Sequence, residues 1–387
     1  MKIIFIVNHD YLSKNGIAIV TQYLAEGLVK KGHHVKVYTV TNDKEKPLEH
    51  NGVMIETIDL RYNRLKQPKG EIDRYRKKVL AEKSDVIIFV SLQTPATDCL
   101  LPLLDDIKAK KLLYTHDFSG LYLKPLKWRG DLFHSLGNTW NYFIWNYYYR
   151  FHVPKYINKF NGVISLSALN KDNEYLKHYY RGKKWIIGNA AEDIFFESSQ
   201  SDRMITEKYL ISVANYSHIK NQIFIIKEYY KTKASTEYAM VFCGSSLNKY
   251  ADRLQRVKKA LDKKYGERKV RFLHGIDRQL VPALIRGASL YLCGSRWEAF
   301  SISMIEAMAS GTPFVSVDAG NVRELPGGIV VDSNKDFHLT IDEMLDNEAL
   351  LADYSRKGME YANSRCRIEV AVNKLETILE NVIDSKE

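Results

Sequence analysis

No apolar run in this chain of 387 residues is long enough to cross a bilayer; the most apolar stretches, residues 3–7 and 86–90, have the length of strands. The amino terminus offers one Lys before a five-residue apolar run and no small-residue cleavage site, so no secretory signal is expected and a cytoplasmic location is. Cysteine is scarce. Cys99, Cys243, Cys293 and Cys366 lie far apart and form no Cys-x-x-Cys pair, which argues against a disulfide framework or a thiolate metal site and for reduced, packed thiols. No Asp-x-Asp triplet, internal repeat or low-complexity tract occurs.

What is present bounds the architecture. The length allows two domains, and an apolar content of 45% supports two cores. The net charge of +11 is unevenly shared: residues 1–190 carry 30 Lys and Arg against 18 Asp and Glu, whereas residues 191–387 carry 27 against 28. Blocks such as Arg74-Tyr-Arg-Lys-Lys78 and Arg181-Gly-Lys-Lys184 read either as a solvated face or as a contact for an anionic partner, a lipid surface or a polyanion.

Residues 3–7 read as a strand, Asn15-Gly16 breaks the chain, Val20, Leu24 and Leu28 recur at helical spacing, and Gly32 ends that helix before a second strand at 34–40. This is a βαβ unit with its glycine turn where such units bind phosphates. Further strands are predicted at about 53–58, 86–90, 111–115 and 162–166, and a second series near 209–214, 238–243, 269–273, 289–293, 313–317 and 328–331, with helices between. The alternation predicts an α/β protein with doubly wound parallel sheets. Residues 198–207 are polar, without periodic apolar positions, and read as a linker. From about Asp336 onward the chain reads as helical.

Residues 295–313 carry the strongest signal: Ser-Arg-Trp-Glu-Ala-Phe-Ser-Ile-Ser-Met-Ile-Glu-Ala-Met-Ala-Ser-Gly-Thr-Pro. Glu298 precedes a helical run and Glu306 lies within it, so Ala299, Phe300 and Ser301 are expected to carry first-turn N–H groups that bind an anion. Two carboxylates flanking a bound phosphate suit a nucleotide sugar. The segment, Glu-x7-Glu followed by Ala-Met-Ala-Ser-Gly-Thr-Pro, resembles the signature of the family 4 glycosyltransferases, retaining enzymes of the GT-B fold.

The resemblance implies two Rossmann-like domains facing a cleft: an acceptor-binding domain at 1–195, a nucleotide-sugar-binding domain at 196–364, and a final helix, 365–387, crossing back to the first. It implies that Glu298 binds the donor sugar, that Glu306 binds the ribose hydroxyls, and that the backbone at Phe300, Ser301 and Ile302 meets the donor. A leaving diphosphate needs cations and N–H dipoles. Lys220 matches the family's lysine after the first strand of the second domain, but Asn215 stands where an arginine is expected, with Arg296 the nearest candidate to compensate. Gly16 matches the family's phosphate-approach glycine, and Asn15 before it tolerates positive φ. Ile276 matches the residue lying against the base. His116 takes the place of a histidine facing the donor sugar, with a capping or packing histidine as the plain alternative. The absence of Asp-x-Asp fits the metal-independent, cofactor-free chemistry that the family implies.

Residues 122–159 differ from the rest. Eight of the twelve residues from Trp140 to Phe151 are aromatic, and Lys124, Lys127, Trp128, Arg129, Trp140 and Trp145 stand among basic neighbours. Such a segment suits a peripheral contact with anionic lipid on the inner face of the cell membrane or a lid over a lipid-linked acceptor; a helix buried against the sheet is the other reading. No nucleic-acid motif accompanies it. The expected function is therefore transfer of a sugar, with retention, from a nucleotide sugar to a glycan or lipid-linked acceptor of the cell envelope. A nucleotide-sugar 2-epimerase of the same fold and a non-catalytic sugar-binding protein are the rival readings.

Overall fold

The computed structural model describes residues 1–13, 15–41, 48–122, 132–197, 204–332 and 334–385. The chain divides into two compact units: unit 1 holds Met1–Gly188 and Ala371–Glu387, and unit 2 holds Asn189–Val370.

The strands of unit 1 are β1 (Lys2–Val7), β2 (His34–Val40), β3 (Glu49–His50), β4 (Val53–Ile58), β5 (Leu60–Tyr62), β6 (Pro68–Gly70), β7 (Val86–Val90), β8 (Lys110–Tyr114), β9 (Gly162–Ser165) and β10 (Lys183–Ile186). Eight of them form one sheet in the order β10-β9-β8-β7-β1-β2-β4-β3, parallel except for β3, and β5 pairs with β6 as a separate hairpin. Helices cover both faces of such a sheet, so its central strands are apolar throughout rather than alternating. All five residues of β7 and five of the six of β1 are buried accordingly.

Unit 2 contains β11 (Tyr209–Val213), β12 (Ala239–Gly244), β13 (Val270–His274), β14 (Leu290–Cys293), β15 (Phe314–Val317) and β16 (Gly328–Val331), all parallel, in the order β13-β12-β11-β14-β15-β16. Each predicted strand matches one of these within a residue or two, because buried parallel strands are the plainest apolar runs a sequence can show.

The first helix, Gly16–Lys30, buries Ala18, Val20, Leu24 and Leu28 as the spacing predicts, and Gly32 follows it at φ +86. Asn15 has φ −87, however, and its side chain accepts from the Ala18 N–H at 3.0 Å. Asparagine is there as a helix cap, so no positive φ is used. Gly27 lets the carboxyl-terminal helix approach closely within unit 1, since a Cβ would lie 2.4 Å from Val372. Glu376 on the same helix receives Lys31 at 2.6 Å and His33 at 2.9 Å. The tail is three helices, Phe337–Leu345, Glu348–Arg365 and Ile368–Asp384. Asn347 makes the first break by capping the Leu350 N–H at 3.0 Å.

The aromatic segment serves two environments. Trp145, Tyr148 and Tyr149 join the core of unit 1, while Trp140, Phe143, Tyr147 and Phe151 are 52–63% exposed. A turn of π-helix, Tyr148–His152, extends the helix Leu132–Tyr147. Trp145 is therefore a core residue, and the expectation that it meets acceptor or membrane is corrected: its place on the inward face of the helix leaves it 7% exposed. Lys124, Lys127, Trp128 and Arg129 lie outside the described residues. So do residues 198–203 of the polar stretch. Of the basic blocks, Arg74 and Lys78 pair locally with Glu71 and Glu56, while Lys183 and Lys184 are exposed. The four cysteines are free and buried. Among the described residues no helix is long and apolar enough to cross a membrane.

Candidate functional site

In an open parallel sheet a ligand meets the loops at the carboxyl ends of the strands, where the strand order reverses. In unit 2 the reversal lies between β11 and β14. Lys220 sits on the loop after β11 and Glu298 on the loop after β14, and the fold brings them together: Lys220 Nζ donates to Glu298 Oε1 at 2.5 Å, and Ser295 Oγ donates to the same oxygen at 2.7 Å. Glu298 is only 7% exposed, and a carboxylate so buried needs such partners. Both loops are braced. Lys220 N–H donates to Ser217 Oγ at 3.2 Å, Asn221 takes a left-handed φ of 55, and its Nδ2 donates to the Gly294 carbonyl at 3.1 Å.

The helix that carries Glu306, Ile302–Ala309, starts later than the sequence predicts. Ser301 is its N-cap residue, so Ile302, Ser303 and Met304 provide the first-turn amides, and Ala299, Phe300 and Ser301 are the approach to them. The approach is pinned before it can wind: the Phe300 carbonyl accepts from Asn189 Nδ2 at 2.9 Å, and Gly320, at φ +62, packs where a Cβ would lie 2.0 Å from the Glu298 carbonyl. Ser301 Oγ lies 3.3 Å from Ser303 Oγ, which accepts from the Tyr291 hydroxyl at 2.8 Å.

Glu306 is 3% exposed and accepts from Nη2 of Arg278 through Oε1. Burial pushes its carboxyl up, and the guanidinium pulls it back. Arg278 in turn donates to Glu192 at 2.7 Å and lies 4.6 Å over the Phe195 ring. Ile276 is half-buried two residues earlier, after Gly275 at φ +63.

Asn215 and Arg296 behave otherwise. Asn215 Oδ1 accepts from the Ser245 N–H at 3.3 Å, which ties together the loops after β11 and β12. Arg296 lines a separate depression of about 460 Å³ with Asn221, Ile223, Phe224 and Lys227. The second cation at the carboxylates is thus Arg278, which sequence reading missed together with Glu192, Ser295 and Gly320. Ser295 was visible three residues before Glu298, but Glu192 lies 86 residues from Arg278 and no spacing could link them.

Unit 1 has its own reversal, between β1 and β7. The loops at that edge hold four non-glycine residues in left-handed conformation, Ser91, Gln93, His116 and Asp117, a strain of about 1–3 kcal/mol each that the surroundings must sustain. Gln93 Oε1 accepts from Gly120 N–H and the Tyr149 hydroxyl, both at 3.0 Å. His116 is 6% exposed, its ring tilted against that of Tyr114 with centroids 4.3 Å apart, and its buried Nε2 has no partner among the described residues. Burial, with repulsion from His9, pushes its pKa down to about 3. His9, which sequence reading passed over, also has a buried, unpartnered Nε2 and a pKa lowered by burial. Gly16 is exposed as the first residue of its helix. Among the described residues no three or more His, Cys, Asp or Glu side chains converge as metal ligands.

Comparison with known proteins places this geometry. A family model described as Glycosyltransferase Family 4 matches residues 14–191, and one described as Glycosyl transferases group 1 matches residues 193–361. The lipopolysaccharide core biosynthesis mannosyltransferase LpsB of Rhizobium meliloti is 27% identical over 111 residues, 27% of this chain and 32% of that protein, so the chain aligns with about a third of that curated relative. Sucrose-phosphate synthase from Thermosynechococcus elongatus superposes with a TM-score of 0.77 over all of both chains at 16% identity. The Anabaena protein HepE in complex with UDP superposes with a TM-score of 0.73 over 98% of this chain and 100% of that one, also at 16% identity. At that identity the structures speak to the fold, which is GT-B.

Proposed function

Since the chain belongs to the family 4 glycosyltransferases, we propose that it transfers a sugar from a nucleotide-sugar donor to an acceptor hydroxyl, with retention of anomeric configuration. The observation that carries this reading is the Lys220–Glu298 contact at the strand reversal of unit 2, beside the first-turn amides of the helix Ile302–Ala309, which no side chain caps among the described residues. A diphosphate leaving group gains charge as the glycosidic bond breaks. Lys220 and those amides meet it with fixed positive charge and dipoles already in place, which is how such groups lower a barrier. No divalent cation is needed in this scheme. Glu298 then takes a hydroxyl of the donor sugar, Glu306 the ribose diol, and Ile276 lies against the base.

A retaining transfer on this pattern has the acceptor hydroxyl approach the face the phosphate leaves, and the departing phosphate takes its proton. In unit 1, His116 stands at the sheet edge as a neutral imidazole, since a histidine with pKa near 3 stays uncharged across the physiological range.

The acceptor is proposed to be a glycan or lipid-linked sugar of the cell envelope. Trp140, Phe143, Tyr147 and Phe151 stand exposed along one helical stripe with Arg150 beside them, in the half of the chain that carries the positive charge excess. Aromatic rings of this kind settle at lipid headgroups, and basic neighbours favour an anionic surface.

A panel of UDP-, GDP- and ADP-sugars, screened by thermal stabilisation, tests the donor assignment. One family of nucleotide sugars should raise Tm in proportion to the logarithm of its concentration, and nucleoside diphosphate should then be released in proportion to added membrane extract. Release of a free epimer without acceptor would point to the 2-epimerase instead, and ligand binding without turnover to a sugar-binding protein.

A further inference from the structure

The Glu306 carboxylate is tied at one end only. Oε1 receives Arg278, and Oε2 takes no hydrogen bond among the described residues. Arg278 is itself fixed from two further sides. Glu192 Oε1 accepts from Nε at 2.7 Å and lies 2.7 Å from Nη2 as an ion pair, and the guanidinium rides on the Phe195 ring. Glu192 precedes and Phe195 ends the short helical turn Asp193–Phe195, an element with no part in the chemistry described above. A three-sided grip of this kind is more than charge neutralisation, for which a single contact would serve. Arginine suits it: its planar fork bonds two carboxylates at once and keeps its charge at every working pH.

We propose that Arg278 is a positioning residue for the nucleoside end of the donor: it holds Glu306 by one oxygen so that the other is presented to the vicinal ribose hydroxyls, and Glu192 and Phe195 fix the guanidinium for that task. The inference rests on the reading that Glu306 binds the donor ribose. A carboxylate anchored at Oε1 cannot swing, so Oε2 meets a diol in one geometry and discriminates against sugars that lack it.

The groups facing Glu306 are Arg278, Glu192 and Tyr291. Without the guanidinium, burial and the charge of Glu192 both favour the protonated acid, so the carboxylate should be lost as pH falls and regained as it rises.

Isothermal titration of the intact protein with whichever of UDP, GDP or ADP binds tightest, and with its 2′,3′-dideoxy analogue, tests the proposal. Wild type should prefer the ribonucleotide by about tenfold or more, in keeping with hydrogen bonds to a charged group. Arg278→Gln should bring that preference to within about threefold near pH 6 and restore part of it near pH 8.5, and Arg278→Lys should lie between, since it keeps the charge and loses the fork. Glu192→Gln leaves the Arg278–Glu306 contact in place and loosens its support. It should weaken the preference by a few-fold, and it carries the test if Arg278→Gln does not fold.

A wild-type preference that survives unchanged and independent of pH in Arg278→Gln, or, where that variant fails to fold, in Glu192→Gln, overturns the positioning role and leaves the donor assignment standing. A wild type that binds no nucleotide, or binds both forms alike, overturns the donor reading and this proposal with it.

Discussion

At the strand reversal of unit 2, Glu298 and Glu306 each give one oxygen to a cation, whereas at the corresponding edge of unit 1 His9 and His116 each keep a buried ring nitrogen with no partner among the described residues. The sheets share a topology and the same carboxyl-end geometry, so backbone does not explain the contrast; side chains do. Unit 2 has charges fixed before any ligand arrives, which suits a diphosphate and its ribose. Unit 1 has buried imidazoles and no Lys or Arg paired with them among the described residues, with buried carboxyls at Asp98, Asp117 and Asp172 and left-handed backbone at Ser91, Gln93, His116 and Asp117. One fold thus presents two chemically different edges, as the proposed function, with donor and acceptor at different units, requires.

The largest expected effect comes from removing the carboxylate of unit 2. Glu298→Ala should lower kcat by about a thousandfold or more while the circular dichroism spectrum stays that of wild type; turnover near the wild-type rate would break the assignment. Lys220→Ala should come next, weakening nucleoside diphosphate binding by about ten- to a hundredfold in calorimetry. Unaltered affinity would mean that the amides of the helix alone hold the diphosphate.

In unit 1 the effect should be smaller and of a different kind. His116→Gln should cost about tenfold in kcat/KM and leave donor-nucleotide affinity unchanged. It also has a signature in stability. A histidine whose folded pKa is near 3, against an unfolded value of 6.5, stabilises the fold fully above pH 6.5 and progressively less as pH falls toward 3. The variant should therefore lose less Tm than wild type between about pH 7 and pH 4. Asp98 and Asp172, whose pKa values burial pushes up to about 6, act in the opposite direction in both proteins and do not cancel the comparison.

The smallest effect on the fold should come from the exposed stripe. Trp140→Ala with Tyr147→Ala should change stability by less than about 0.5 kcal/mol, as surface changes do. Sedimentation of the double variant with vesicles containing phosphatidylglycerol should nonetheless fall several-fold relative to wild type, since two interfacial aromatic rings are lost while the basic neighbours stay. Trp145→Ala, on the buried face of the same helix, should destabilise by about 3–5 kcal/mol. Equal outcomes for the two faces would erase the distinction drawn between them.

Much of this was legible in the chain. The strands were plain because a parallel strand buried on both faces has no polar positions to blur its limits. Glu298 and Glu306 stood out by their spacing around one helix start and Lys220 by the family resemblance, and the structure brings Lys220 to Glu298. Arg278 was not, since its meaning depends on Glu192 and Phe195, which reach it only through folding. His9 looked like any loop histidine, because burial of a single nitrogen leaves no trace in a linear pattern. The aromatic segment was conspicuous, but a helix that meets core on one side and solvent on the other reads as one aromatic run.

Periodicity and composition by themselves determined two parallel α/β units, the absence of a spanning helix, and the pair of glutamates around one helix start, because each follows from the short-range requirements of hydrogen bonding and burial. Tertiary structure alone decided which cation serves which carboxylate, where the helix bearing Glu306 begins, and which ring nitrogens are left without a partner. These depend on loops that are distant in the chain and meet at the carboxyl edges of the sheets, where distance along the sequence carries no information about distance in space.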